Sequence, residues 1–171
     1  MNLQDYLEAW DGNDPEYLKA YYQVQAEEEE IFVSQLIELS KLPDWQRASS
    51  WILKYHLEQK QQLTRQQCSD LLKLLPVLKD WQAQLHLLQI LPLIPLEIDD
   101  FELILPFLDE CLKSDIKFVR AWAYGGLGLA GKYIPDLLPE IKERFKLAEG
   151  FESASIKARI RRAVKEYKLP I

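Results

Sequence analysis

Four acidic residues, Asp44, Asp80, Asp115 and Glu152, stand 36, 35 and 37 residues apart. A recurrence in this range marks stacked helical units and narrows the possible folds more than any other feature of the chain. With these acids as starting points, Ala48, Gln84, Val119 and Ile156 lie four residues on. Ile52, Leu88, Ala123 and Ile160 lie eight on, and Tyr55, Leu91, Gly126 and Ala163 eleven on. Offsets of four, eight and eleven fall on one face of an α-helix. Gln84 is the misfit in an otherwise apolar or small stripe. At offset seven Trp51, Leu87 and Trp122 also fit, but Arg159 does not. A helix pair with one apolar face cannot bury it alone, so successive pairs must stack.

The remaining segments read as helices in between. One short helix is expected over 3–10, ended by Asp11-Gly12-Asn13. Asp14-Pro15 supplies an N-cap and a proline at the first helical position, with helix to about Ser40 and a break at Glu27–Glu30. Asp44 is expected to cap a helix over 45–59, Thr64 and Gln67 to form a capping box for 64–78, and Asp80 to cap 81–91. Asp99 or Asp100 caps 101–112 and Asp115 caps 116–130, followed by helices near 134–147 and 153–168. No segment reads as a strand. Leu85, Leu87, Leu88, Ile90 and Leu91 make one helix apolar nearly all round, as for an element covered on both sides. The last helix is one-sided, with Ile156, Ile160, Val164 and Tyr167 on its packing face, as for a terminal cap.

The chain resembles the HEAT-like repeat family over its central and C-terminal parts. The resemblance is carried by Leu105-Pro106-Phe107-Leu108, Cys111-Leu112, Ser114-Asp115, Val119-Arg120-Ala121-Trp122-Ala123 and Leu127-Gly128. Leu75-Pro76 with Asp80, and Leu138-Pro139, look like weaker copies, and the Asp80 unit has Gln84-Leu85 where the Val-Arg pair would stand. The resemblance implies an all-α fold of stacked hairpins, an α-α superhelix of about eight or nine helices in right-handed arrangement. Residues 1–43 are the divergent part and 44–168 the HEAT-like hairpins of a single domain. It also implies a scaffold or adaptor, and an Arg120 that pairs with aspartates of its own or the next turn.

Composition excludes several classes. Of 171 residues 48% are apolar and 28% charged, the balance of a globular domain. The net charge of −6 repels phosphate backbones on average, so nucleic acid is a poor partner unless a local basic patch overrides it. Cys68 and Cys111 lie far apart in apolar helical patterns and read as buried reduced thiols. The N-terminus lacks the basic and apolar regions of a signal peptide, and no apolar run reaches the ~18 residues of a membrane span. A soluble cytoplasmic protein with no membrane contact is the expectation.

Catalytic motifs fail on context. Gly126-Leu127-Gly128-Leu129-Ala130-Gly131 matches a dinucleotide fingerprint, but it ends a helix instead of joining a strand to one. Its glycines are better explained by close helix packing, with Gly131 stopping the helix. His56 and His86 have no ligand three or four residues on, and no cofactor or metal is expected. A nucleophile–histidine–acid set could assemble across the fold, but nothing selects one. The five tryptophans read as core packing or as an aromatic platform, for which Trp51, Tyr55 and Tyr124 are the candidates.

Charge layout supplies the remaining signal. The first thirty residues hold nine acids and one lysine, and Glu27–Glu30 reads as a solvated helix face or a receiver for a basic partner. The last helix carries Lys157, Arg159, Arg161, Arg162, Lys165 and Lys168 against Glu166 alone. Lys157, Arg161, Lys165 and Lys168 form a stripe beside the packing face, which with Arg162 either caps the stack or docks an acidic protein surface, a second copy included. Three functions follow: a non-catalytic protein-interaction module, a nucleic-acid-binding or base-processing protein similar to HEAT-like DNA glycosylases, and an enzyme or cofactor-protein chaperone of unrecognised type.

Overall fold

The computed structural model describes residues 2–25 and 29–171, and every regular element among them is helical. Ten α-helices occur among the described residues: α1 (Leu3–Glu8), α2 (Pro15–Val24), α3 (Glu29–Leu39), α4 (Gln46–Glu58), α5 (Arg65–Leu72), α6 (Trp81–Ile90), α7 (Phe101–Leu112), α8 (Lys117–Tyr133), α9 (Leu138–Phe151) and α10 (Ala154–Glu166). The count exceeds the expected eight or nine because the expected break in 15–40 makes two helices of it, α2 and α3. Glu27 and Glu28, in the acidic run, lie outside the described residues, and Glu30 is exposed. No helix of the described residues is long and apolar enough to cross a membrane.

The chain divides into two compact units, Met1–Ile94 and Pro95–Ile171. In the first, α4 is central and packs against α2, α3 and α6. In the second, α8 is central and packs against α7, α9 and α10. The periodic positions explain this. Ile52, Leu88, Ala123 and Ile160, all at offset eight, are buried, as are Ala48, Val119 and Ile156 at offset four. Gln84, the misfit, is half-buried and donates from Nε2 to the Leu78 carbonyl at 3.2 Å, so its amide is satisfied where it stands.

Caps hold where one side chain can reach the first turn. Asp80 accepts from the Ala83 N–H at 2.9 Å, Asp14 from Glu16 at 2.9 Å, and Thr64 and Gln67 close the capping box at 3.2 and 2.9 Å. Three expected caps fail. Asp44 lies in a 3-10 turn, Pro43–Trp45, and Trp45 opens α4 without a side-chain cap. α8 opens on Ile116, which has no side-chain acceptor, so Asp115 stands one residue too early to cap it, and Ser114 Oγ accepts from the Ile116 N–H at 3.2 Å in the turn before. Nor does Asp100 cap α7: its carboxylate accepts from the Glu97 N–H at 2.8 Å in the turn before it. Leu74-Leu75-Pro76 turns the chain into a 3-10 segment and ends α5 at Leu72, short of the expected 78.

Buried hydrogen bonds join the helices of the first unit. Gln46, fully buried, accepts from the Lys79 and Asp80 N–H groups at 2.8 and 3.1 Å and donates to the Val77 carbonyl at 3.0 Å. It therefore ties the start of α4 to the entry of α6. Gln67 donates to the Glu30 carbonyl and to Ser34 Oγ, tying α5 to α3.

The second unit depends on close approach. Gly131 does not stop α8, which runs two residues further to Tyr133. A Cβ at Gly126 would lie 2.4 Å from Leu108 Cδ2 of α7, and at Gly128 2.9 Å from Ala163 Cβ of α10. At Gly131 it would meet Leu138 Cδ2 at 3.0 Å. Arg120 pairs with Glu152, the next acid of the periodic series, at 2.9 Å from Nε and 3.1 Å from the second guanidinium nitrogen. It reaches its own turn through the carbonyls of Ser114 and Asp115, so the Asp115 carboxylate is not the partner expected from the sequence.

Two alanine substitutions separate packing from helix propensity. Gly125 faces only Arg159 Cδ at 3.8 Å, an ordinary contact, so Gly125→Ala should stabilise by up to about 1 kcal/mol. Gly128→Ala gains the same propensity but pushes into Ala163 and Tyr167, and should be net destabilising by about 1–2 kcal/mol. Urea denaturation of both variants checks the opposite signs.

Candidate functional site

The basic face of α10 is built by the burial of its other side. Ile156, Ile160 and Ala163 are buried against the unit, which turns Arg161, Arg162 and Lys165 to solvent. Val164 and Tyr167 are only half-buried, and so is Lys157. Lys168 is not on the helix. It is exposed, with φ of 52°, and ends α10: the Leu169 N–H behind it returns to the Val164 carbonyl at 3.0 Å. The stripe of four expected from the sequence is thus two exposed helical cations, one half-buried lysine and one cap residue.

Few carboxylates compete for these cations. Arg161 lies 3.7 Å from Glu149 and Arg162 3.8 Å from Glu166, with all four side chains at least half exposed. Exposed pairs at such distances contribute between about 0 and 1 kcal/mol and exchange readily. Arg159 is used differently: its guanidinium lies 3.4 Å from the centroid of the Trp122 ring. Desolvation beside that ring, and then the nearby Arg162 charge, pull the Arg159 pKa down.

α9 adds to this face, which the sequence reading did not foresee. A groove of about 310 Å³ runs between α9 and α10. Phe145, Ile160 and Val164 form its apolar lining, together with Ile171. Lys142 and Lys146, one turn apart on α9, and Arg161 on α10 stand at its edge, with Glu149 the single acid. The signal was present in sequence as Lys142-x3-Lys146 facing Ile160-x3-Val164, but which two helices adjoin is a tertiary fact.

The aromatic candidates fall apart as a surface. Tyr124 is buried, with 6% exposure, and packs edge-on to Phe145 at 6.3 Å, because its offset turns it into the core of the second unit. Trp51 and Tyr55, in the first unit, are half-buried and stack on each other at 5.5 Å with planes 13° apart. Tyr55 also takes the edge of Tyr22 at 5.2 Å and the Lys19 ammonium at 5.8 Å. Its faces are committed within the chain, which removes it as a stacking platform. Trp10, Trp45, Trp51 and Trp122 are half-buried and Trp81 is 40% exposed, so core packing fails for Trp81 and describes the other four only in part.

One Ser–His pair does form. Ser50 Oγ and His86 Nδ1 share a hydrogen bond at 2.9 Å between α4 and α6, and both residues are buried. The charged groups acting on His86 are Lys54 and Arg47, not an acid. Burial first, and these cations second, lower its pKa to about 3, so it is a poor base near neutral pH and carries no orienting carboxylate. The pair is a neutral clamp. His56 bonds through Nδ1 to Tyr22 Oη at 3.0 Å, which ties α4 to α2. Among the described residues no group of three His, Cys, Asp or Glu side chains is placed to hold a metal ion. The glycine-rich segment lies wholly inside α8.

No family model, curated protein or solved structure matches this chain.

Acid should act on the His86 clamp. Its folded pKa of about 3 lies below its unfolded value, so its neutral form stabilises the fold fully above about pH 6.5, and that contribution is lost as pH falls toward 3. Between about pH 6 and pH 5 the parent should lose about 1 kcal/mol more stability than His86→Gln, which cannot take up the proton. Urea melts of both proteins at the two pH values measure the difference.

Proposed function

We propose that this chain is a protein-binding module of the HEAT-repeat kind, without catalytic activity, whose α9–α10 face docks an acidic protein surface. The observation that carries the reading is the concentration of exposed, loosely paired cations around one apolar groove in a chain of net charge −6. Clustered cations repel one another, as Arg162 does Arg159, but the local reversal of sign steers encounter with negative surfaces and selects among partners. Support for the repeat class comes from the buried offset-eight series and from Arg120, which joins the Glu152 carboxylate to the backbone carbonyl of Asp115, the acid before it in the series. Nucleic acid is disfavoured because Trp122 already holds Arg159 and Tyr55 is already stacked, leaving neither ring wholly available to bases. The reading places the protein in the cytoplasm, where buried thiols such as Cys68 and Cys111 stay reduced.

Arg161→Glu with Lys165→Glu tests the face. Both residues are exposed, so stability should stay within about 0.5 kcal/mol of the parent. Recovery of protein partners from the source cell should fall, most at low salt, where charge steering is least screened. Equal recovery by parent and variant at two salt concentrations would assign α10 to capping alone.

A further inference from the structure

The groove between α9 and α10 is too small for a second helix, at about 310 Å³, but suits one branched aliphatic side chain. Its edge cations ask for carboxylates on both sides of that side chain. The first unit presents this arrangement. Ile31, on the first turn of α3, is 60% exposed. Glu30 beside it and Glu38 further along α3 are exposed as well. Single exposed aliphatics are ordinary and need no partner. The combination matters here, because Ile31 stands in the most acidic part of the chain and the groove in a basic part.

The dimensions are within side-chain reach. Eight residues of helix set Glu38 about 12 Å from Glu30 along the axis, and Lys142 and Lys146 are about 6 Å apart on theirs. Long lysine and arginine side chains span the difference. The ion pairs that must be exchanged, Glu38 with Lys41 and Arg161 with Glu149, are all between solvent-exposed side chains and of low value.

Resting on the reading of α9–α10 as a docking face, we propose that its groove receives Ile31 of a second copy of this chain. In that contact Glu30 and Glu38 of the second copy face Lys142, Lys146 and Arg161. The two surfaces differ, so the contact is heterologous and each copy keeps one unused surface of each pair.

The test uses the full chain and two variants in sedimentation equilibrium, at about 50 mM and about 500 mM salt. Ile31→Asp removes the anchor; Lys142→Glu with Lys146→Glu disables the groove. All three positions are exposed, and circular dichroism confirms that each variant is folded. The parent should show a mass that rises with concentration at low salt. Each variant alone should associate at least about tenfold more weakly. An equimolar mixture of the two variants should recover association and stop at two copies, since an intact Ile31 meets an intact groove once only. A parent that stays monomeric at every concentration, variants that associate like the parent, or a mixture no better than its components would each overturn the proposal. If the parent is monomeric while partner recovery still depends on Arg161 and Lys165, the choice of partner falls and the docking face stands.

Discussion

The distance between α8 and its neighbours governs the second unit. Side chains normally hold helix axes 8–10 Å apart. Where a Cβ would fall 2.4 Å from Leu108 and 2.9 Å from Ala163, glycine at 126 and 128 is what permits the contact. That closeness lets Ile156, Ile160 and Ala163 bury fully against the unit. Their burial fixes the rotation of α10, and the rotation turns Arg161, Arg162 and Lys165 outward. The basic face is therefore a consequence of glycines on a different helix. A residue that widened the α8–α10 contact would move every cation on α10 without touching one.

Helix positions and the buried offset-eight stripe were legible because apolar side chains recurring at helical spacing mark the face a helix buries. The caps at Asp80 and at Thr64 with Gln67 were legible for a related reason: the acceptor and its N–H sit three residues apart. Asp44 and Asp115 have the same residue type at the same periodic position, yet neither caps. Pro43 draws Asp44 into a 3-10 turn, and α8 opens one residue past Asp115, on Ile116, which has no side-chain acceptor. Where a first turn begins is decided by local geometry, which residue type alone does not contain. Gly131 misled in the opposite direction: a glycine near a helix end reads as a stop, but here it admits Leu138 and Ile141 while the helix continues.

The basic face proposed for docking was half legible. Its α10 cations lie within one short segment of the sequence, and the exposure of Arg161, Arg162 and Lys165 follows from the amphipathic pattern. Lys142 and Lys146 could not be added, since α9 contains Glu140, Glu143 and Glu149 as well, and only the adjacency of α9 and α10 selects the cations that share the groove. Tyr124 failed as a site residue for a clear reason. It follows Ala123, the buried offset-eight residue, by one position on a helix that packs against three neighbours. A helix so enclosed buries more than one stripe, and adjacent positions go in together.

The two units meet the same problem, holding helices side by side, by different chemistry. The first buries Ser40, Gln46, Ser49, Ser50, His56 and His86 and links α2, α3, α4 and α6 through their hydrogen bonds. Such bonds fix register, since each donor has one acceptor, but a lost partner leaves a desolvated polar group. The second unit holds register by shape, with glycines at contact points, and by the Arg120–Glu152 pair, of which Glu152 is buried. A close helix contact is sensitive to a single added methyl, and a buried histidine to its proton. Acid therefore bears on the unit that carries Ile31 through His86, and an added methyl at Gly128 on the unit that carries the groove.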